Sequence, residues 1–318
     1  MINGVYITFR DRGLFVLVKA ISWLSVASFN KYVLKNKFIK KNIYTYQMSL
    51  DLNDPGISRT LLLFGERELD HKIMLERILK PGMSVFDIGA NIGYYPLMEL
   101  GLIGKSGNLI AIEPSPSNID LLKKNLILNG YDDIEVISGA VSDKDGAEKF
   151  YLSEFSNLNT FHPTGSGEKF VSGETIDVKT YSVVTLAEKY GAPDLIRMDV
   201  EGHEVEVING MLNAIAENKF RPMIIFETHI SRYSEEHNME LVLNRIFELG
   251  YCASLVSSSY ERGTKIIDNL GYKGTGPIKS DGLTRYIYEN ISNKDAISLI
   301  CETGGARTVL LSPKDSEL

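Results

Sequence analysis

The feature that most constrains the fold is an alternation of short apolar runs with helical patterns, which begins near residue 66. Runs such as "MSVFDIG" and "RPMIIFETH" are typical of buried strands, and the segments between the runs carry apolar residues at helical spacing. Apolar strands that alternate with helices indicate a parallel sheet covered on both faces. The pattern therefore predicts a Rossmann-like, doubly wound α/β fold with a seven-stranded, mostly parallel sheet.

The seven predicted strands lie, in chain order, in the segments "MSVFDIG", "NLIAIEP", "IEVISGAVS", "PDLIRMDV", "RPMIIFETH", "CASLVSSS" and "ARTVLLSP". Two stretches interrupt the alternation. In residues 144–192, the segments "AEKFYLSE" and "TIDVKTYSVVTL" predict extra strands. Residues 260–305 are rich in Gly, Ser and Lys. We predict a basic N-terminal arm with an apolar helix at residues 1–60, followed by one domain at residues 61–318 that contains both insertions.

The net charge of −7 conceals an asymmetry between the arm and the rest of the chain. Residues 1–41 hold eight Lys or Arg against one acid, a charge of +7, so the remainder carries −14. An acidic body argues against nucleic acid as a partner, because the phosphate backbone needs a basic surface. The two cysteines exclude a disulfide scaffold and favour a cytoplasmic, reducing compartment.

The arm contains "GLFVLVKAISWLSVASF", residues 13–29, which Lys19 interrupts and which is short for a membrane span of about 20 residues. Trp23 and the lysines that follow it favour an interfacial helix on anionic lipid. We therefore expect peripheral contact with the inner face of the membrane through residues 13–41. A cleaved signal sequence and a helix packed on the body are the alternatives.

The first candidate site is "DIGANIGYY", Asp87–Tyr95, where a predicted strand turns into a helix. In open α/β sheets, ligands bind beyond the carboxyl ends of the strands, and glycine lets a ligand approach the backbone closely. The spacing matches neither the dinucleotide fingerprint nor a phosphate-binding loop, which disfavours a nicotinamide-dependent oxidoreductase. The carboxylate of Asp87 would repel pyrophosphate and suits a cationic ligand group.

Glu113 ends the second strand, 26 residues after Asp87. A carboxylate at this place can accept both hydroxyl groups of a ribose. Together with the glycine loop, it predicts a nucleoside site.

The loop Asp-x-Gly-x-Asn-x-Gly followed by "EP" after the second strand resembles class I S-adenosylmethionine-dependent methyltransferases. "LKPGMSVFDIGANIGYY" and "DVEGHEVEVINGM", followed by "PMIIFETH", resemble the FkbM family of methyltransferases, and the resemblance covers roughly residues 60–258. It implies S-adenosylmethionine as the cofactor and methyl transfer mostly to hydroxyl oxygens of sugars or secondary metabolites. Ser138, Gly139 and Ala140 would border the adenine, where the acid usual in many methyltransferases is missing. The full set of implied cofactor contacts is Asp87, Gly89, Ala90, Asn91, Gly93, Glu113, Pro114, Ser138, Gly139 and Ala140.

Titratable residues follow the fourth and fifth predicted strands, and we take as candidate catalytic residues Asp199, Glu201, His203, Glu227 and His229. Three uses stay open: a general base for the acceptor hydroxyl, a divalent metal held by Asp199 and Glu227, and positioning of the sulfonium and the acceptor. We do not predict the metal. A base with a pKa near working pH favours histidine over an ordinary carboxylate.

We predict structural roles for other polar residues near these strand ends, and a role in acceptor choice for two loops. Glu204 and Glu206 begin a helix, where acids stabilise the positive end of the dipole. His237 fits a helical surface pattern and is expected to be inert. Residues 156–165, with Asn159 and His162, and residues 260–305 are candidate loops for acceptor choice.

The resulting prediction is a methyltransferase that acts on a sugar hydroxyl of a glycan or glycolipid, so that the partner is a small-molecule, glycan or lipid-linked acceptor. The alternatives are O- or N-methylation of a polyketide or other small secondary metabolite, and a non-catalytic module that binds S-adenosylmethionine.

Overall fold

The computed structural model describes residues 10–155, 157–162 and 171–315, without the side chains of residues 171 and 172. Its principal helices, α1 to α10 in chain order, are Leu14–Ser28, Ile57–Phe64, Leu69–Ile78, Tyr94–Ile103, Pro116–Leu128, Val183–Tyr190, Glu204–Ala216, Met239–Glu248, Glu261–Asn269 and Asn293–Ile297. Its strands, β1 to β14, are Phe38–Ile43, Tyr46–Asp51, Ser84–Ile88, Asn108–Glu113, Glu135–Ser138, Ala140–Val141, Gly146–Ser153, Val171–Tyr181, Leu195–Met198, Met223–Glu227, Tyr251–Ser258, Thr275–Ser280, Leu283–Ile291 and Ala306–Pro313.

The central sheet has nine strands in the order β12-β13-β11-β14-β10-β9-β3-β4-β5. The strands from β10 to β5 pair in parallel, and β14 runs antiparallel between β10 and β11. The predicted doubly wound α/β fold with a mostly parallel sheet is confirmed, and six predicted strands lie wholly in this sheet. The third, "IEVISGAVS", divides into β5 in this sheet and β6 in a separate one. Two more strands, β12 and β13, extend it, because residues 260–305 form a hairpin with two helices rather than an open loop.

Each face of the sheet carries its own hydrophobic core. Alternation along β3 directs Phe86 to one core, with α7 and α8, and Val85 to the other, with α3, α4 and α5. A sheet buried on both faces requires the near-continuous apolar strands that the sequence shows.

The insertion at residues 144–192 departs from the prediction at its C-terminal end. Strands β7 and β8 pair antiparallel and, with β6, form a separate three-stranded sheet. "SVVTL" was predicted as strand, but it begins α6, because the Ser182 hydroxyl caps the helix by accepting a hydrogen bond from Thr185 N at 3.1 Å.

Packing continues across residue 60. The hairpin β1-β2 and helix α2 bury Ile43, Met48 and Leu61 in the same core as the sheet. Lys41, in β1, contacts both α1 and α2. Its Nζ lies 4.7 Å from the ring centroid of Trp23 in α1 and donates a hydrogen bond to Leu62 O in α2 at 2.7 Å.

Helix α1 is longer and more exposed than the sequence suggested. It continues through a π-helical turn to Val33, so that Leu14–Val33 spans 20 residues, long and apolar enough to cross a membrane, and 11% of its apolar window is buried. The expectation of a segment too short for a span is therefore corrected. Phe15 is 71% exposed and Val18 is 57% exposed.

Candidate active site

In the sheet, β3 lies between β4 on one side and β9 on the other. The chain adds strands β4 and β5 on the first side of β3 and then β9 and β10 on the second, so the strand order reverses at β3. The carboxyl ends of β3, β4 and β9 therefore open onto one crevice, which is where open α/β sheets bind ligands. A cavity that is open to solvent lies there, with about 750 Å³ of empty space when its opening is included. Of the predicted site residues, those that line it are Gly89, Ala90, Asn91, Glu113, Pro114, Gly139, Ala140, Asp199, Glu201 and His203.

The packing of the protein itself requires glycine at two positions of the loop. Gly89 has φ +81°, and a Cβ built on it would lie 2.2 Å from the carbonyl oxygen of Asp199. Gly93 has φ +94°, and its Cβ would lie 3.0 Å from Leu122, outside the cavity wall. Both positions need glycine because the turn after β3 passes so close to its neighbours.

Glu113 is 4% exposed, and backbone and side-chain donors fix its carboxylate. Oε2 accepts from Asn91 N at 2.8 Å, while Oε1 accepts from Ser115 N at 3.0 Å and from Asn118 Nδ2 at 3.2 Å. Burial raises the pKa of Glu113 to about 7, and these three donors oppose the rise. The side chain is thus a rigid acceptor at the end of β4.

Asp87 does not reach the cavity, although we expected it to contact a cationic ligand group. Its Oδ1 lies 3.0 Å from Nη1 of Arg197, and the residue is fully buried. The same guanidinium lies 3.4 Å from Asp199 and stacks on Tyr95 at 3.9 Å. The guanidinium of Arg197 therefore takes the place beside Asp87 that we expected a cationic group of a ligand to occupy.

Glu201 lines the cavity from the loop after β9 and has φ +51°, an unusual conformation for a non-glycine residue. Burial raises its pKa to about 7, against the opposing effect of His229, whose Nε2 lies 3.7 Å from Glu201 Oε2. It combines access to the cavity with a pKa near neutrality, which are the two properties that a general base requires.

His229 lies behind the cavity wall rather than on it. Its Nδ1 lies 2.8 Å from Glu204 Oε1, and Glu201 and Glu227 lie within 3.8 Å of its Nε2. Although burial opposes it, the surrounding carboxylates raise the pKa of His229 well above its usual range. A histidine held protonated cannot accept a proton, so it is not the base.

His203 lines the cavity, but burial lowers its pKa to about 4. The surroundings of both candidate histidines therefore disfavour them as the base, and the identity of the base stays a prediction. Burial raises the pKa of Glu201 toward neutral pH and lowers the pKa of His203 away from it.

Glu227 and Glu204 are also bound from within the protein. Glu227 Oε1 lies 2.6 Å from Arg307 Nη1, and burial raises its pKa. Glu204 is fully buried and also accepts from Gly202 N at 3.2 Å, so it is more than a dipole-stabilising acid of the helix. The predicted residues that the structure does not bring to the cavity wall are Asp87, Gly93, Ser138, Glu227 and His229.

Several residues that line the cavity were not predicted individually from the sequence. These are Ile57, Arg67, Ile88, Tyr94, Tyr95, Ile112, Asn118, Val141, Phe150, Asn157, Phe161, Arg197 and Val200. Arg197 carried a visible signal, since it is a charged residue inside an apolar strand. The others depend on tertiary packing. Residues 260–305 contribute none of the lining, whereas the described part of 156–165 contributes Asn157, Asn159 and Phe161; residues 156 and 163–165 lie outside the described residues.

Residues 87–252 match the family described as "Methyltransferase FkbM domain". Hexuronic acid methyltransferase AglP of Haloferax volcanii is 30% identical over 151 residues, which is 46% of this chain and 55% of that protein. Protein-L-isoaspartate O-methyltransferase of Methanococcus vannielii is 43% identical over 68 residues, which is 21% of this chain and 32% of that protein. The chain thus spans about half or less of the length of these two relatives.

Solved structures resemble the chain loosely. A crystal structure of methyltransferase FkbM from Methylobacillus flagellatus aligns with a TM-score of 0.38 and 14% identity, covering 87% of this chain and 60% of that one. TYW2 of P. horikoshii, in complex with MeSAdo, aligns with a TM-score of 0.41 and 15% identity, covering 90% of this chain and 82% of that one. TM-scores below 0.5 do not transfer residue roles to this chain.

Proposed function

This chain belongs to the FkbM methyltransferase family, and on that premise we propose that it transfers a methyl group from S-adenosylmethionine to a hydroxyl oxygen of a sugar in a glycan or glycolipid. The observation that carries the proposal is that one cavity at the strand-order switch holds both Glu113, a rigid acceptor, and Glu201, a carboxylate with a pKa near neutrality.

The residues present fit the cofactor. Glu113 would accept a ribose hydroxyl, since the three donors named above occupy three of about four acceptor positions of its carboxylate. Gly139, Ala140 and Val141 would border the adenine with backbone and apolar surface. When bound, S-adenosylmethionine supplies an electrophilic methyl group on a cationic sulfur, which the acidic side chain of Asp199 at the cavity wall would favour.

Glu201 would take the proton that the acceptor hydroxyl loses as its oxygen becomes methylated. The protonated His229 behind Glu201 helps to hold the carboxylate ionised before the transfer. Orientation of the acceptor would come from Asn157, Asn159 and Phe161, which offer amide groups and an aromatic face to a sugar ring. Because one relative is named a hexuronic acid methyltransferase, glycans that contain uronic acids are the first acceptor class to test.

Calorimetric titration of the full chain with S-adenosylmethionine tests the cofactor. Binding should occur in the wild type, weaken at least tenfold in Glu113→Ala and persist in Asp133→Ala, an exposed acid in the loop before β5. Equal binding by Glu113→Ala and the wild type would refute the assignment of Glu113.

Mass spectrometry of glycan acceptors tests the reaction, with each acceptor gaining one methyl group. Uronic-acid glycans, neutral sugars and small secondary metabolites are compared in parallel. Cofactor binding without methylation of any oxygen acceptor would favour the non-catalytic module, and methylation of the metabolites alone would favour the small-molecule enzyme.

We further propose that α1 contacts the cytoplasmic face of an anionic membrane, which supports a lipid-linked acceptor. The support is its exposed apolar surface next to the basic run of residues 31–41. Flotation with vesicles that contain anionic lipid should recover the wild type and Leu241→Glu, a control at a 62% exposed leucine on α8. The double variant Phe15→Glu/Val18→Glu should stay unbound; its flotation at wild-type level would exclude the contact.

A further inference from the structure

Three of the five histidines of the chain converge on one carboxylate outside the acid–base pair proposed above. His162 comes from the loop after β7, His203 and Glu206 from the start of α7, and His237 from the turn before α8. Glu206 therefore contacts histidines besides lying in the first turn of the helix, and His237 lies before α8 rather than on its surface.

Three of the donor atoms lie close to the spacing of tetrahedral metal ligands. His162 Nε2 lies 3.0 Å from His203 Nδ1, His203 Nδ1 lies 3.4 Å from Glu206 Oε2, and His162 Nε2 lies 3.7 Å from Glu206 Oε2. Zinc with ligand bonds of about 2.0–2.1 Å places tetrahedral ligands about 3.3 Å apart. His237 Nδ1 contacts the other oxygen of Glu206, and the ring of His237 lies 3.9 Å from that of His162.

Two further observations point to a ligand between these atoms. Glu206 Oε2 is buried and has no hydrogen-bond partner among the described residues, although it faces two imidazole nitrogens. The outer nitrogen of His203, Nε2, lies 3.0 Å from the Ser142 hydroxyl. Metal-binding histidines usually have such an outer partner, which fixes the tautomer and aims the inner nitrogen at the ion.

We propose that His162, His203, His237 and Glu206 bind one divalent transition-metal ion of the zinc class. Imidazole nitrogens together with one carboxylate suit zinc and similar ions better than calcium or magnesium, which prefer oxygen ligands.

The ion would act as a structural clamp on the acceptor side of the cavity. It joins three segments that are distant along the chain: the 157–162 loop, the start of α7 and the turn before α8. Phe161 packs on the His203 ring at 4.5 Å, and both side chains line the cavity. Thr160, in the same loop, donates from its hydroxyl to Glu201 O at 2.9 Å. Fixing His162 and His203 therefore holds the wall that faces Glu201.

A second group of potential ligands, Asp199, Glu201 and His229, is less suited to an ion. It offers a single histidine nitrogen beside two carboxylates, because Nδ1 of His229 already contacts Glu204 at 2.8 Å. This group provides an internal control for the location of a bound metal.

The test uses the untagged full chain after treatment with a chelator, with Co²⁺ as the spectroscopic probe. We expect one equivalent of Co²⁺ to bind with the visible absorption of a tetrahedral centre and to be displaced by Zn²⁺. His237→Ala and Glu206→Gln should each weaken binding more than tenfold. Asp199→Asn and the exposed neighbour Glu236→Gln should bind as the wild type does.

Thermal unfolding separates loss of the site from loss of the fold. With chelator present, His237→Ala should unfold at the temperature of the wild type, whereas added Zn²⁺ should raise the unfolding temperature of the wild type only. His162→Ala gives an independent second variant. The proposal is overturned if the wild type binds no stoichiometric metal, or if Asp199→Asn abolishes binding that His237→Ala retains.

Discussion

Replacement of Glu201 by glutamine tests the acid–base reasoning most directly. Glutamine keeps the size and hydrogen-bonding capacity of the side chain but cannot accept the acceptor proton. We expect the variant to bind S-adenosylmethionine as the wild type does and to lose most of its turnover. The loss should be about a hundredfold to ten-thousandfold in kcat, which is the usual contribution of a positioned general base.

The pH dependence follows from the burial of Glu201. Its pKa rises from 4.5 to about 7, which corresponds to about 3 kcal/mol of differential interaction between its two protonation states. A base acts in its ionised form, so turnover should be low below the pKa and should rise as the pH increases through it. The carboxylate is ionised in about one molecule in ten at a pH one unit below the pKa, and in about nine in ten at one unit above.

The assay measures kcat and kcat/KM for methylation across this pH range. The rise of kcat with pH, here called the kcat limb, reports a titration in the enzyme that has cofactor and acceptor bound. It should be absent in Glu201→Gln. Glu113 also has a pKa near 7, but it acts on cofactor binding, so its titration should affect kcat/KM rather than kcat at saturation. Glu154→Gln, at an exposed acid in the same loop region as Asn157, serves as the matched control. An unchanged kcat limb in Glu201→Gln would refute the assignment.

The remaining predictions concern stability. Arg197→Met should lower the free energy of unfolding by about 3–5 kcal/mol in urea titrations, because it leaves Asp87 charged and unpaired in the core; adding Asp87→Asn should recover part of the loss. A double variant no more stable than Arg197→Met would contradict this pairing. Gly89→Ala should prevent stable folding, because its Cβ would clash with a main-chain oxygen 2.2 Å away, whereas Gly101→Ala, in an open helical position, should stabilise by up to about 1 kcal/mol. Equal unfolding midpoints for the two alanine variants would show that the loop relaxes.

The arrangement of elements was predictable because local pattern and burial agree along most of the chain. All seven strands and the helices after β3, β4, β9 and β10 follow from apolar periodicity with Gly and Pro boundaries. The exceptions lie where a tertiary contact overrides pattern. "SVVTL" is rich in β-branched residues, yet the Ser182 cap starts a helix there. Residues 275–291, within the insertion at 260–305, extend the sheet edge.

Site residues were predictable by position and less so by role. Ends of parallel strands meet at one edge, which is why Glu113 and Glu201 were found from the sequence. Their protonation could not be read from the sequence, because it depends on partners distant along the chain. Arg307, from the last strand, binds Glu227, and Ser142 and His162 bind His203.

The charges at the strand ends are distributed so that one carboxylate remains available for proton transfer. Arg197 pairs with Asp87 and Asp199, Arg307 pairs with Glu227, and His229 forms its hydrogen bond with Glu204. Each of these cations lies 2.6–3.4 Å from its carboxylate, close enough for a charge-assisted hydrogen bond. The carboxylate of Glu201, by contrast, lies 3.7 Å from its nearest histidine nitrogen and still faces the cavity. Burial raises the pKa of Glu201, and at this distance the His229 charge opposes the rise only in part, so the pKa lies near neutrality. Moving the His229 charge away should therefore raise the pKa of Glu201 and shift the kcat limb to higher pH, so His229→Gln should need a higher pH for the same turnover.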